Sequence, residues 1–342
     1  MAPSLRRTLA ATLVTAAAAA GPLAAQGAPA APTVTLGGVS YAQFAAQLDS
    51  GKNSNFDVTR AYLNVVGKFA DGIMTRVTGD IYQNADGSHT YRLKYAFLNW
   101  TPSGSALTYR FGLITTPWID WEEALWDYRM QGPVAVDRNK YMTSSDFGAG
   151  VDGNINNELV DFQASVVDGT GYGATPGDMH KVVAGRVSVR LLGTDDASRV
   201  GGLRVTGYAQ VGAPSGGGTK NRFLGELSYR SKNLLLAGEY GATTDSAGAQ
   251  TTPTKGSVLS VYGFYHLPAS PVGIIARVDI VDPNTANNTT ATNNDKKTDI
   301  IGGVSYQLSP NVRLLADVDQ LSFQNTAQAK ITQGLFQLQF TF

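Results

Sequence analysis

Apolar and polar residues alternate one by one through most of this chain, and the alternation restarts after each cluster of Gly, Asn, Asp, Ser or Pro. A period of two sends successive side chains to opposite faces of a β-strand, and the clusters are turn formers, so the pattern predicts strands joined by turns and loops. Sixteen strands are predicted. They are Thr33–Leu48, Phe56–Phe69, Ile73–Gln83, Tyr91–Trp100, Ala106–Ile114, Ser145–Gly153, Leu159–Val167, Lys181–Leu191, Gly202–Val211, Asn221–Arg230, Leu234–Gly241, Val258–Leu267, Val272–Val281, Asp299–Leu308, Val312–Leu321 and Gln328–Phe342. Several have about 9–11 residues, the length that crosses a bilayer at a tilt.

The two faces differ in kind. On the second strand Arg60, Tyr62, Asn64 and Lys68 oppose Ala61, Leu63, Val65 and Phe69. On the ninth, Arg204, Thr206, Tyr208 and Gln210 oppose Leu203, Val205, Gly207 and Ala209, and Arg277 and Asp279 oppose Ile274, Ala276, Val278 and Ile280. Strand interiors carry no charge on the apolar parity. A Lys or Arg facing lipid at the bilayer midplane costs roughly 2–4 kcal/mol, which accounts for the exclusion. Phe69, Tyr91, Tyr229, Tyr240, Tyr306 and Phe342 sit on the apolar parity near strand ends, where headgroups would lie. Links alternate between short turns, such as Ala70-Asp71-Gly72 and Ser309-Pro310-Asn311, and longer polar loops, such as Ala242–Lys255 and Asp282–Thr298. The fold class expected is all-β: a transmembrane antiparallel barrel of sixteen strands, with short turns at one end and long loops at the other. Phe336, Leu338, Phe340 and Phe342 form the apolar face of the last strand. They resemble the terminal strand of bacterial outer-membrane barrels, and that resemblance implies an assembly signal read by the barrel-assembly machinery.

Arg6 and Arg7, the short apolar run Leu9–Ala20 and small residues before Gln26 read as a Sec-type signal peptide over 1–25, cleaved near Ala25 or Ala30. The barrel domain is expected over 33–342, in the bacterial outer membrane with lipid around it. The absence of Cys excludes disulfides, thiolate metal sites and lipid attachment at a cysteine. Lys plus Arg and Asp plus Glu each number 27, leaving no basic footprint for nucleic acid. Three His, with His89 and His180 read as loop residues and His266 near a strand end, offer no metal site and no evident nucleophile–base pair, so neither a cofactor nor an enzyme is expected.

A closed barrel of sixteen strands is wide enough for an aqueous lumen. Candidate pore-lining residues are Arg60, Arg76, Asp80, Lys94, Arg110, Arg186 and Arg277. They could filter solutes or simply pair across the wall. Bases slightly exceed acids. One link, about Thr115 to Ser144, is far longer than ordinary connections and holds three of the four Trp. Indoles need a dry place to pack, so the loop is expected to fold into the barrel, with a helical turn begun at Asp120. Trp118, Trp121 and Trp126 would lie on the wall, and Asp120, Glu122, Glu123 and Arg129 would narrow the lumen. Arg60, Arg76 and Arg110 are the expected partners of the loop acids. The alternative is a lid or subunit-contact loop outside the pore.

Phe56-Asp-Val-Thr-Arg60-Ala-Tyr-Leu-Asn-Val-Val-Gly-Lys68 resembles the second-strand region of the phosphate-selective porin family, the family of porin O and porin P. Arg110-Phe-Gly-Leu-Ile-Thr-Thr-Pro117, Ser145-Asp-Phe-Gly-Ala-Gly-Val-Asp152, the segment near Val167-Asp-Gly-Thr-Gly171 and Ala276-Arg-Val-Asp-Ile-Val-Asp-Pro-Asn284 are similar to it as well. The resemblance implies a homotrimeric, water-filled pore with a constriction loop after the fifth strand, passing small hydrophilic or anionic solutes. Phosphate specificity in that family relies on dense pore lysines, whereas this chain offers mainly arginines and an acidic loop. Rival readings are an adhesive barrel acting through loops such as Asn284–Lys297, and an outer-membrane hydrolase.

Overall fold

Alternation of this kind folds by pairing each strand with its neighbour and the last with the first. The computed structural model describes residues 31–49, 53–84, 86–174, 177–248 and 251–342, so the expected signal peptide lies outside the described residues. In chain order the strands are β1 (Thr33–Gln47), β2 (Ser54–Lys68), β3 (Ile73–Gln83), β4 (His89–Trp100) and β5 (Leu107–Thr115). Two helices, α1 (Pro117–Leu125) and α2 (Ala135–Arg138), follow. Then come β6 (Ser145–Ile155), β7 (Val160–Val167), β8 (Val182–Leu192), β9 (Gly202–Gly212), β10 (Thr219–Arg230), β11 (Leu234–Ser246), β12 (Thr254–His266), β13 (Val272–Asp282), β14 (Lys297–Ser309), β15 (Val312–Phe323) and β16 (Ile331–Thr341). Every neighbouring pair is antiparallel and the sheet is a closed barrel. Closure leaves no edge, so each strand's backbone groups are satisfied by its neighbours, as hydrocarbon demands.

The seam shows how closure is achieved. Phe44 faces Phe336 and Ala42 faces Leu338 across the β1–β16 ladder. Beyond β16, Phe342 donates its N–H to the Gly38 carbonyl at 3.1 Å and accepts from the Gly38 N–H at 3.0 Å. The Phe342 ring lies over Gly38 so closely that a Cβ there would stand 2.3 Å from it, which explains the glycine. Phe336, Phe340 and Phe342 are exposed on the outer face and Leu338 is half-buried there.

The two faces separate as the alternation requires. Val187, Val205, Leu227, Leu236 and Val261 are exposed outside, while Arg186, Arg204, Thr206, Glu226 and Ser228 on the same strands are buried inside. Phe69, Tyr91, Tyr229, Tyr240, Tyr306 and Phe342 are all exposed. The turn after β2 is a tight Asp71-Gly72 pair, both with positive φ, the geometry of a primed hairpin turn.

Three expectations need correction. The β11–β12 ladder continues through Thr243↔Gly256 and Asp245↔Thr254, where a loop was expected. Its upper rungs rise beyond the apolar band, so hydrogen bonding persists where the hydrophobic pattern has stopped. His89 begins β4 rather than lying in a loop, with Asp57 at 3.5 Å from its Nε2. His180 does lie in a loop and holds Asp178 at 2.8 Å, a local carboxylate overlooked in the sequence. Link lengths also break their alternation: at the short-turn end, segment 101–106 outruns 84–88, and segment 193–201 outruns 48–53, 84–88 and 213–218.

Placing a charge on the lipid face tests the sidedness. Val205→Arg should lose roughly 2–4 kcal/mol of folding stability in phospholipid vesicles, read from the denaturant dependence of the folded fraction, with the secondary structure of the folded form unchanged.

Candidate functional site

The link 116–144 leaves the rim at β5 and returns at β6, its two ends tied by the Thr116 N–H to the Ser144 carbonyl at 3.1 Å. Thr116 caps α1 with extended backbone, and Pro117 takes the first helical position, where a missing N–H costs nothing. The helix therefore starts at Pro117 and not at Asp120. The spacing of the tryptophans points to a turn, and the Thr116-Pro117 pair sets where it begins.

The loop lies inside the barrel against β8–β16. Trp118, Trp121 and Trp126 are 0%, 0% and 1% exposed, so the indoles do find a dry place. Trp118 donates its Nε1–H to Glu239 at 3.0 Å and packs on Tyr208, while Trp121 donates to Glu226 at 3.0 Å beneath the Arg186 guanidinium, 4.3 Å from the ring. Trp126 meets Tyr262 edge-on at 5.7 Å. The Tyr128 hydroxyl bonds Ser305 at 2.7 Å and His266 at 3.0 Å, so His266 secures the loop. Burial pushes the Tyr128 phenol up.

The wall arginines complete the attachment. Arg230 donates to the Ala124 and Leu125 carbonyls at 3.0 and 2.6 Å, Arg313 to Asp127 at 3.0 Å, Arg277 to Pro133 at 2.9 Å and Arg222 to Tyr141 at 3.0 Å. From the loop, Arg138 bridges Asp299 and Asp319. Arg199, on segment 193–201, reaches the Asp120 carboxylate at 2.8 Å and its carbonyl at 2.7 Å. Burial opposes the Asp120 charge, but Arg199, Arg110 and Arg186 together outweigh it and hold the carboxyl below its ordinary range.

These contacts revise the candidate list. Arg186 and Arg277 point inward but lie under the loop at 1% and 2% exposure, so neither borders open lumen. Glu122 is 1% exposed and faces the wall, so it does not narrow the passage. The loop acids do not pair with the expected wall bases. Asp120 meets Arg199, Asp127 meets Arg230 and Glu123 meets Arg129 at 2.8 Å. Arg60 instead bonds Asp80 at 2.7 Å, Arg110 bonds Asp152 and Thr115, and Arg76 bonds Asn64 and Thr78 at 3.0 Å. Neighbours on adjacent strands reach each other more cheaply than groups across a lumen. Arg199, Arg222, Arg230 and Arg313 were the anchors sequence reasoning missed, since their loop partners stand from about eighty to nearly two hundred positions away.

Tyr41 of β1 packs in the loop's cluster, but the arginines of β2–β4 stay partly open. There Arg60 and Arg92, with side chains 23% and 25% exposed, share the single buried Asp80. Lys94 donates to Tyr62 at 3.0 Å, and Arg92 lies 3.9 Å from the Tyr82 ring and 4.4 Å from Tyr172 of the 168–181 loop. The loop presents Glu123, Arg129 and Asp137 on its free side. Burial works against the Arg129 charge, but Glu123, Tyr62 and Asp137 with Tyr41 together outweigh it and raise the guanidinium above its usual value, whereas burial pushes Asp137 up despite Arg129. Basic residues thus exceed acids on the wall, and acids exceed bases on the facing loop surface.

A sixteen-stranded transmembrane barrel with an inward-folded loop after β5 is the architecture of solved bacterial porins. The chain is similar in fold to the anion-selective porin from Comamonas acidovorans, with a TM-score of 0.65 and 13% identity over 91% of this chain and 100% of that one. It is similar also to Salmonella typhi OmpF, solved in complex with daunomycin (TM-score 0.63, 11% identity, 90% and 97% covered), and to Pseudomonas putida OprB (0.62, 9%, 91% and 94%). No protein-family model and no curated protein matches the chain.

Removing one member of a covered pair tests the attachment. Arg277→Met leaves the buried Asp279 without its counter-charge, with only the Ser260 hydroxyl donating to it, and frees the Pro133 carbonyl, so it should cost about 3–5 kcal/mol in denaturant unfolding. The double change Arg277→Met, Asp279→Leu should recover much of that loss.

Proposed function

We propose that the protein is an outer-membrane porin: a passive, water-filled channel for small hydrophilic solutes with a modest preference for anions and no catalytic role. The observation that carries this reading is the asymmetric lumen. A loop seals the β8–β16 side with its own tryptophans and leaves a polar corridor between Arg60, Arg76 and Arg92 on the wall and Glu123, Arg129 and Asp137 on the loop. The passage is therefore narrowed by segment 117–140, which acts as the constriction loop. Strict phosphate specificity is not part of the proposal, because the corridor bases are nearly matched by acids and screening over a Debye length of about 8 Å blurs the remainder.

In this reading Arg60 and Arg76 line the pore, Arg110 borders it, Asp80 and Lys94 are buried in the wall beneath them, and Arg186 and Arg277 hold the loop. Phe336, Leu338, Phe340 and Phe342 serve as the assembly signal, a Sec-type leader exports the chain, and three copies associate in the membrane.

Bilayer conductance with reversal potentials in a salt gradient tests the proposal. Wild-type protein should conduct with weak anion preference, and Arg60→Glu with Arg92→Glu should shift the reversal potential toward cations. Arg186→Gln should leave the reversal potential in place, since Trp121 covers it. Deleting Trp118–Arg129 should raise single-channel conductance while heat-stable assembly survives. A deletion that dissolves the oligomer without changing conductance would make the loop an interface element.

A further inference from the structure

The contact that seats α1 against the wall is unusual in its chemistry. Glu122 of α1 and Glu239 of β11 are each 1% exposed, and their carboxyl groups are buried neighbours. Among the described residues, neither Glu122 Oε2 nor Glu239 Oε1 meets a protein N–H or O–H donor. Two ionised carboxylates have no hydrogen to place between them, so this contact requires one to keep its proton. We propose that Glu122 and Glu239 position the constriction loop through a shared proton, and that losing this proton lifts α1 off the wall. The proposal rests on the channel reading for its effect on conductance, but not for its effect on the tryptophans.

The bases around the pair are already committed to other acids. Glu226 of β10 stands behind the pair, accepting from Trp121 and from Tyr262 of β12 at 2.8 Å, and is a third acid. Tyr208 of β9 packs on Trp118 and brings no charge. Arg277 of β13 is committed to Asp279 by three bonds of 2.6 to 3.0 Å and to the Pro133 carbonyl. Arg186 of β8 is committed to Asp161, and on the other faces of α1 Asp120 and Glu123 are held by Arg199 and Arg129. Burial, then Glu239 and Glu226, push the Glu122 carboxyl well above the ordinary carboxylate range.

The sign follows from proton counting. The seated loop binds a proton that the released loop gives up, so seating is strongest below the ordinary carboxylate pKa. It weakens as pH rises, and the proton's contribution is gone once the pH passes the raised value. A released α1 has only the open corridor to enter, so conductance should fall and flicker as pH rises.

The test titrates intact protein from about pH 5 to about pH 9, a span from near an ordinary carboxylate pKa to well above it. Both tryptophan emission and single-channel conductance are followed. Trp118 and Trp121 donate to Glu239 and Glu226, while Trp100 is exposed on the outer face and supplies a constant background. Wild type should show a red shift of emission and a parallel loss of conductance with rising pH. Glu122→Gln and Glu239→Gln, whose amides keep a donor between the groups without a proton to lose, should abolish both changes. A wild type flat in both readouts, or glutamine variants that keep the transition, would overturn the proposal. Should Glu239→Gln disturb the wall, Glu122→Gln alone carries the test, since it lies on the loop. If no channel is seen at any pH, the porin reading fails while the emission still decides the latch.

Discussion

Everything inside this barrel depends on one interaction: a wall arginine handing its N–H groups to the backbone of the loop. A guanidinium has five donors in a fixed fork and cannot lose its charge, so once covered it must find acceptors or cost heavily. The loop, for its part, carries carbonyls that no strand pairs. Arg222, Arg230, Arg277 and Arg313 each meet such a carbonyl, and most also bond a carboxylate. Two sets of groups that would be expensive alone satisfy each other, and the loop is thereby assigned to one side of the lumen.

That assignment divides the arginines into two populations with the same sequence signature. Those on β8, β10, β13 and β15 are structural cement beneath or beside the loop. Those on β2 to β4 stay hydrated, spaced by Tyr41, Tyr62, Tyr82 and Tyr95, and keep part of their surface open. The field across the corridor therefore arises from a minority of the charged residues. Net charge is uninformative here, because the pairs that cancel are not the ones a passing solute would meet.

How far the sequence was legible follows from the range of each determinant. Strand number and facing were readable because parity is local: Arg204 and Val205 need only their neighbours to declare their sides. The inward fold of the loop was readable from Trp118, Trp121 and Trp126, since three indoles exclude an exposed position. Which charge meets which was not readable. Arg230 with Asp127, or Arg138 with Asp299, depends on how far the loop descends, and nothing near either residue encodes that depth. Glu122 failed for a related reason, because one step around the helix separates the lumen-facing Glu123 from a residue buried against Glu239.

The longest link at the short-turn end explains the depth. Segment 193–201 lies at the end where the other connections are tight, and a minimal turn would suffice to join β8 to β9. Its additional residues carry Asp196, which takes Arg230 at 2.8 Å, and Arg199, which takes Asp120. Val200, 2% exposed, packs in the same cluster as Trp121 and Leu125. The loop enters from the opposite rim, so without partners at the far end it could stop at any depth where its indoles found cover. Arg230 joins Asp196 of the turn to Asp127 of the loop, so the turn and the loop grip the same guanidinium from two sides. The depth of the loop is thus set from the far end, by a turn lengthened to reach it.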